Sequence, residues 1–206
     1  HYPACRVTGS NFYCREFGDE FLEGYQVIHM SNLVRKHNPE YIMEIGFGSG
    51  RTAATVIQSC RKRPIKRFIS CDKNYHLYAP YSVDYRDYFA DMCPFFDWFE
   101  ERTEVLLMGD FLRKELRSER LDWLTLDGSV RYEQVLMELL SVLCEIRLGG
   151  VIYVVGDMCN SKNVGLKCGM SRVMSIFVEN LELNVDSVMG KEIWYLRVKK
   201  CLCPVP

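Results

Sequence analysis

Tyr41-Ile42-Met43-Glu44-Ile45-Gly46-Phe47-Gly48-Ser49-Gly50-Arg51-Thr52 is the stretch from which the fold can be read. An apolar run breaks into three alternate glycines and then into a helical pattern, which reads as a buried strand, a tight turn and a helix N-terminus. Glycine at these positions permits positive φ and removes the Cβ atoms that would hold a ligand away from the backbone. A polar ligand is expected across the turn. The dinucleotide fingerprint G-x-G-x-x-G would put its third glycine at Arg51, whose side chain obstructs close packing of helix on strand, so a nicotinamide or flavin cofactor is disfavoured.

The surrounding chain suits one α/β domain. Its 206 residues can bury a full core, and a formal net charge of -1 with acids and bases intermixed gives no whole-protein attraction to nucleic acid or anionic lipid. No apolar run approaches a membrane span and no signal-peptide layout opens the sequence, so a soluble, cytoplasmic protein with no membrane partner is expected. The first residue is His1 and not Met, as in a processed product or a piece of a polyprotein. Ten cysteines occur without a C-x-x-C pair. Cys60, Cys71, Cys93, Cys144, Cys159 and Cys168 fall in or beside predicted elements and read mostly as buried thiols, whereas Cys5, Cys14, Cys201 and Cys203 can form disulfides or a zinc site if the termini meet.

Residues 1–38 read as an extended arm and a helix, the latter on the spacing of Phe21, Leu22, Tyr25, Ile28 and Leu33 up to Asn38-Pro39. Residues 39–200 carry the domain, and 201–206 form a cysteine-containing tail. After the glycine turn the expected elements are a helix over Thr52–Cys60 and strands at Arg67–Cys71, Val105–Met108, Leu121–Leu126 and Val151–Asp157. A helix from Gly165 to Asn180 and a closing antiparallel pair, Leu183–Val188 and Glu192–Val198, turning at Gly190, complete the set. The basic linker Arg61–Arg67 reads as a solvated turn. Residues 75–99 are unusually aromatic; Tyr81, Tyr85, Tyr88 and Phe89 recur at helical spacing, and the excess suggests a substrate wall or a homodimer contact. Asp72 ends the second strand, where a carboxylate can accept both hydroxyls of a ribose, or else cap a helix.

The pattern Glu-x-Gly-x-Gly-x-Gly resembles the first motif of class I S-adenosylmethionine (SAM) dependent methyltransferases. Over about residues 40–198 the order of elements is similar to an O-methyltransferase branch that includes the catechol and caffeoyl-CoA enzymes and sugar enzymes with an Asp-Gly-Ser-His or Asp-Gly-Asp-His motif; here Asp127-Gly128-Ser129 is followed by Val130. The fold implied is α/β and Rossmann-like, a seven-stranded, mostly parallel sheet with helices on both faces and an antiparallel C-terminal strand pair. The cofactor implied is SAM, touched by Glu44, Gly46, Phe47, Gly48, Ser49, Gly50, Asp72, Lys73, Asp110, Phe111 and Asp127. In this set Asp110 and Phe111 would read the adenine, although Asp110 also suits a helix N-cap.

The same resemblance implies methyl transfer to a hydroxyl of a small molecule. Asp127 and Asp157 would meet at the carboxyl ends of adjacent strands and hold Mg²⁺ against two substrate oxygens, lowering the pKa of the one methylated. Val130 and Met158 stand where the related enzymes carry His and Asn, which leaves a second arrangement open, in which Asp127 orients SAM and Tyr132 or Arg131 holds the acceptor. RNA is the alternative acceptor. Ribose 2′-O-methyltransferases use a Lys-Asp-Lys-Glu tetrad, and Lys36, Asp127, Lys162 or Lys167, and Glu192 occur here in that order. A SAM-binding interaction module without activity is the third reading.

Overall fold

A computed structural model of the chain describes residues 24–48, 50–60, 64–72, 81–99, 111–117, 119–127, 132–155, 176–177 and 179–200. In chain order the elements are α1 (Gly24–His37), β1 (Tyr41–Ile45), α2 (Arg51–Ser59), β2 (Arg67–Cys71), α3 (Tyr81–Met92), β3 (Phe96–Phe99), α4 (Phe111–Leu116), β4 (Leu121–Leu126), α5 (Tyr132–Val142) running into a 3₁₀ turn, β5 (Ile146–Val154), β6 (Leu181–Val188) and β7 (Lys191–Val198). The strands form one seven-stranded sheet in the order β3-β2-β1-β4-β5-β7-β6. Strands β1 to β5 are parallel to their neighbours, and β7 lies antiparallel between β5 and β6.

Burial explains the strand sequences. All six residues of β4 are buried, as a central parallel strand covered on both faces requires. Alternation then sorts side chains between two cores: Met43, Ile69, Leu124, Ile152 and Leu196 face α4 and α5, while Ile42, Phe68, Trp123, Val151 and Tyr195 face α1 and α2. Helices therefore cover both faces, as the sequence implied. Trp123 and Tyr153 are fully buried and stacked, with ring centroids 5.8 Å apart. Each such ring stabilises the fold by about 1.5–3 kcal/mol through burial.

Two side chains fix how the elements join. Asp122 accepts hydrogen bonds from the backbone N–H of Glu40 at 2.6 Å and of Tyr41 at 3.1 Å, and pairs with Arg147 at 2.7 Å, which ties the amino ends of β1, β4 and β5 together. His29, buried on α1, lies 3.2 Å from the Tyr153 hydroxyl through Nδ1 and 2.9 Å from Asp186 through Nε2. One imidazole thus links α1 to β5 and β6. The Gly149-Gly150 turn is absorbed as an irregularity inside β5, where the register passes from Leu121↔Ile146 to Trp123↔Val151.

Several expectations need correction. The place beside β2 is taken by Phe96–Phe99, while the strand expected at Val105–Met108 lies outside the described residues. This also explains the aromatic excess. An edge strand needs rings on both faces: Phe96 and Trp98 pack on the α2 side, and Phe99 meets Phe111 on the other at 4.9 Å. Tyr88 and Met92 remain exposed there. Cys60, Cys71 and Cys93 are free thiols, as expected, and burial pushes the Cys60 thiol up to about 12. Cys144 is instead disulfide-bonded and lies half-buried in the 3₁₀ turn. The arm 1–23, most of the predicted 165–180 helix and the tail 201–206 also lie outside them. No helix among the described residues is long and apolar enough to cross a membrane.

Candidate active site

The chain leaves β1, builds outward through β2 and β3, and returns to β4 on the other side of β1. That reversal opens a crevice beyond the carboxyl ends of β1 and β4, the place where open α/β sheets bind ligands. Backbone hydrogen bonds carry the sheet up to its rim: Gly46 N–H donates to Cys71 O at 2.8 Å, Asp127 N–H to Ile45 O at 2.8 Å, and Val155 N–H to Leu126 O at 2.9 Å. Gly46, Asp72 and Asp127 are thereby set side by side at the mouth of the crevice.

The glycine turn has the expected backbone. Gly46, Gly48 and Gly50 lie at φ 89°, 51° and 74°. Two of them serve different ends. A Cβ on Gly50 would stand 2.6 Å from Cζ of Phe47, whereas a Cβ on Gly48 would meet nothing within 4 Å. Gly50 makes room for protein, and Gly48 leaves room beside the crevice. Phe47 was expected among the cofactor contacts, yet its ring is buried against Trp98, Phe96 and Phe89, with the Trp98 centroid at 4.9 Å. Its side chain anchors the turn from below.

Asp72 closes the turn from the side. Its Oδ2 accepts the N–H groups of Phe47 at 2.9 Å and Gly48 at 2.7 Å, so the carboxylate expected to hold a ribose also holds the loop beneath it. A carboxylate offers about four lone-pair sites, so loop and ligand can share it. Glu44 lies under the turn, fully buried, accepting a hydrogen bond from Ser70 Oγ at 2.8 Å while Oε1 has no partner. Burial is the main reason its pKa stands well above the ordinary carboxylate value. The Ser70 hydroxyl opposes the rise, whereas the nearby charges of Asp127 and Asp72 add to it.

Asp127 follows β4 directly and receives the Thr52 hydroxyl at 3.4 Å on Oδ2. Protein crowds its carboxyl group, and that loss of hydration, opposed by Thr52 and reinforced by the charge of Asp72, pushes its pKa up to about 8. The residue is nevertheless exposed on the open side of the crevice. Water moderates the effect there, so the upward direction carries the argument. Glu44 and Asp127, whose pKa values are raised chiefly by burial, stand with Asp72 in a pocket that favours a ligand carrying positive charge.

Thr52 and Ser70 were not singled out from the sequence. Ser70 had a signal, since it is a lone polar residue in the apolar run Phe68-Ile69-Ser70-Cys71 and pairs in register with Glu44. Thr52 follows the glycines on the first turn of α2, and only the meeting of β1 with β4 aims it at Asp127. Phe111 begins α4 beside the end of β3. Ser49, Lys73, Asp110, Arg131 and Asp157 lie outside the described residues, as does the side chain of Tyr132, whose backbone starts α5. The register Leu126↔Val154 places Asp127 opposite Val155, two residues before Asp157.

No protein-family model matches the sequence, and no curated protein does. Solved structures do match. The O-methyltransferase TomG of Streptomyces achromogenes, determined with SAM, superposes with a TM-score of 0.65 at 13% identity, covering 90% of this chain and 85% of that one. The Podospora anserina methyltransferase PaMTH1 with bound SAH gives 0.65 at 14% identity, covering 90% and 84%. An O-methyltransferase from Bacillus cereus in complex with SAH gives 0.65 at 14%, covering 93% and 86%. The chain has the fold of the class I SAM-dependent methyltransferases.

Proposed function

We propose that the chain binds SAM across the glycine turn and transfers its methyl group to a hydroxyl oxygen of a small molecule. The observation that carries this reading is the convergence of Gly48, Asp72, Glu44 and Asp127 at the strand-order reversal. SAM supplies a methyl group on a positively charged sulfur, together with an ammonium group. The carboxyl cluster complements those charges, and a bound cation draws Asp127 toward its ionised form. Asp72 meets the ribose hydroxyls, and the open space at Gly48 admits the ligand to the backbone. Lys73, Ser49, Asp110 and Phe111 complete the cofactor contacts. Tyr132 and Arg131, entering α5 just beyond Asp127, hold the acceptor in line, since positioning and exclusion of water supply much of the acceleration in such transfers.

The described residues by themselves make no site for a metal. No group of three His, Cys, Asp or Glu side chains among them can hold one; Asp72 is turned to the loop, and Glu44 lies beneath it. A site built on Asp127 and Asp157 would draw its other ligands from elsewhere, and no step is assigned to it.

A small acceptor is favoured over RNA by the position of Lys36, the first member of the Lys-Asp-Lys-Glu series. It lies in the last turn of α1, before the amino end of β1, whereas Asp127 lies beyond the carboxyl end of β4. The intervening strand is five residues long, roughly 16 Å. In the basic linker, Lys66 pairs with Glu40, and Arg67 pairs with Asp97 and Glu115, which leaves them poorly placed to track a phosphate backbone.

Calorimetry with SAM and SAH tests the cofactor. A labelled-methyl assay comparing diol and catechol pools with capped RNA tests the acceptor. Saturable binding of both cofactor forms and label on the small molecules is expected. No heat with either form would overturn the reading, and label only on RNA would move the acceptor. Binding without transfer to any acceptor would favour the interaction module.

A further inference from the structure

The edge of the sheet opposite the crevice carries a cluster of cationic groups that the proposed reaction does not use. His37 ends α1, Arg147 enters β5 and Arg197 stands near the end of β7, opposite Val151 in the ladder. Basic residues in the last turn of a helix ordinarily complement its dipole, which accounts for Arg35, Lys36 and His37. It does not account for Arg147 and Arg197, which come from the sheet.

Two nitrogens here have no hydrogen-bond partner. His37 Nε2 and Arg197 Nε are both sealed from solvent without a hydrogen-bond partner. Leaving such a group unpaired is costly, and more so when it is charged. The nearby acids do not relieve it. Asp122 is engaged by Arg147 and by two backbone N–H groups, and Glu182, although in register with Arg197, forms no ion pair with it. Burial, followed by the charges of Arg197, Lys36 and Arg147, lowers the pKa of His37. The Arg147 side chain is half-exposed, so solution reaches the cluster from its side.

We infer that His37, Arg147 and Arg197 form an oxyanion site of the phosphate class on the amino edge of the sheet, independent of the methyl-transfer crevice. A phosphate group would supply the acceptors that His37 Nε2 and Arg197 Nε lack and neutralise the mutual repulsion of the cluster. Guanidinium suits its tetrahedral oxygens, and the imidazole takes up a proton as the anion arrives.

The test is NMR of the His37 ring, assigned by its loss in His37→Gln, while the full chain is titrated with inorganic phosphate and, separately, with a trinucleotide carrying phosphodiesters. Sodium chloride at matched ionic strength is the reference. Saturable movement of the His37 signals with either phosphate probe supports the site, and the probe that binds more tightly identifies a free or an esterified phosphate as its ligand. Arg197→Gln should weaken that binding at least about tenfold. Arg197→Lys, which keeps the charge but loses Nε, should fall between and guards against a folding defect. Movement no greater than with chloride, or an undiminished response in a folded Arg197→Gln, would overturn the inference. SAH binding followed in the same samples should be unchanged.

Discussion

Replacing Asp72 by alanine tests the site and the fold together. Its carboxylate accepts two backbone N–H groups, Phe47 at 2.9 Å and Gly48 at 2.7 Å. Hydrogen bonds to a charged acceptor are worth about 1.5–3 kcal/mol each, and removing the acceptor leaves the buried Phe47 amide without its partner. Against this loss stands relief of repulsion, since the Asp72 charge helps to raise the pKa of both Glu44 and Asp127. The net expectation is a destabilisation of about 2–4 kcal/mol. In a chain of this size that lowers Tm by about 5–15 °C. Urea denaturation should show a lower midpoint at an unchanged slope, and calorimetry should show SAH binding reduced beyond detection. Asp72→Asn, which keeps one acceptor oxygen, should recover about half of the stability but little of the affinity. A variant Asp72→Ala with the parent's midpoint and SAH affinity would refute both the loop contact and the ribose assignment.

Gly48→Ala and Gly50→Ala should separate binding from folding. At Gly48 the methyl meets open space, so stability should fall by only about 1 kcal/mol for the positive φ while SAH binding is lost; retained binding in calorimetry would clear Gly48 of a ligand role. At Gly50 the methyl strikes the Phe47 ring, and a loss of about 3 kcal/mol or more is expected in urea melts. Asp127 titrates ordinarily at 3.8 and in the folded chain at about 8, so the folded form retains a proton that the unfolded form has released. Its stabilising contribution is complete below about 4 and is lost as pH rises through about 8; Asp127→Asn should flatten that slope, and an unchanged slope would count against it. His29→Ala should cost about 2–4 kcal/mol by cutting α1 from Tyr153 and Asp186, and increased amide exchange throughout α1 would report it. Chelation separates the two arrangements at Asp127: activity abolished by chelator and restored by Mg²⁺ would put a metal between Asp127 and Asp157, whereas unchanged transfer would leave Asp127 to orient SAM.

Where residues act through local periodicity, the sequence alone was sufficient. Strand limits at Arg67–Cys71 and Leu121–Leu126, the glycine turn with its positive φ, and the Gly190 turn all follow from patterns within a few residues, because backbone preference and alternating burial are local. The strand at Phe96–Phe99 was not expected, for the converse reason. Phe96-Asp97-Trp98-Phe99 is too short for alternation to mark it, and only pairing with β2 makes it a strand. Likewise, only the closure of α3 and β3 round it decides that the Phe47 ring is buried. The acidic residues of the site could be named from the sequence, but their meeting could not. Glu44, Asp72 and Asp127 are far apart in the chain and become neighbours only because parallel β1, β2 and β4 share one register. The same register raises the pKa values of Glu44 and Asp127, since desolvation and repulsion between carboxylates depend on distances through space. For the same reason only the tertiary structure set Lys36 on the edge opposite Asp127, and gathered His37, Arg147 and Arg197 where no local pattern would have joined them.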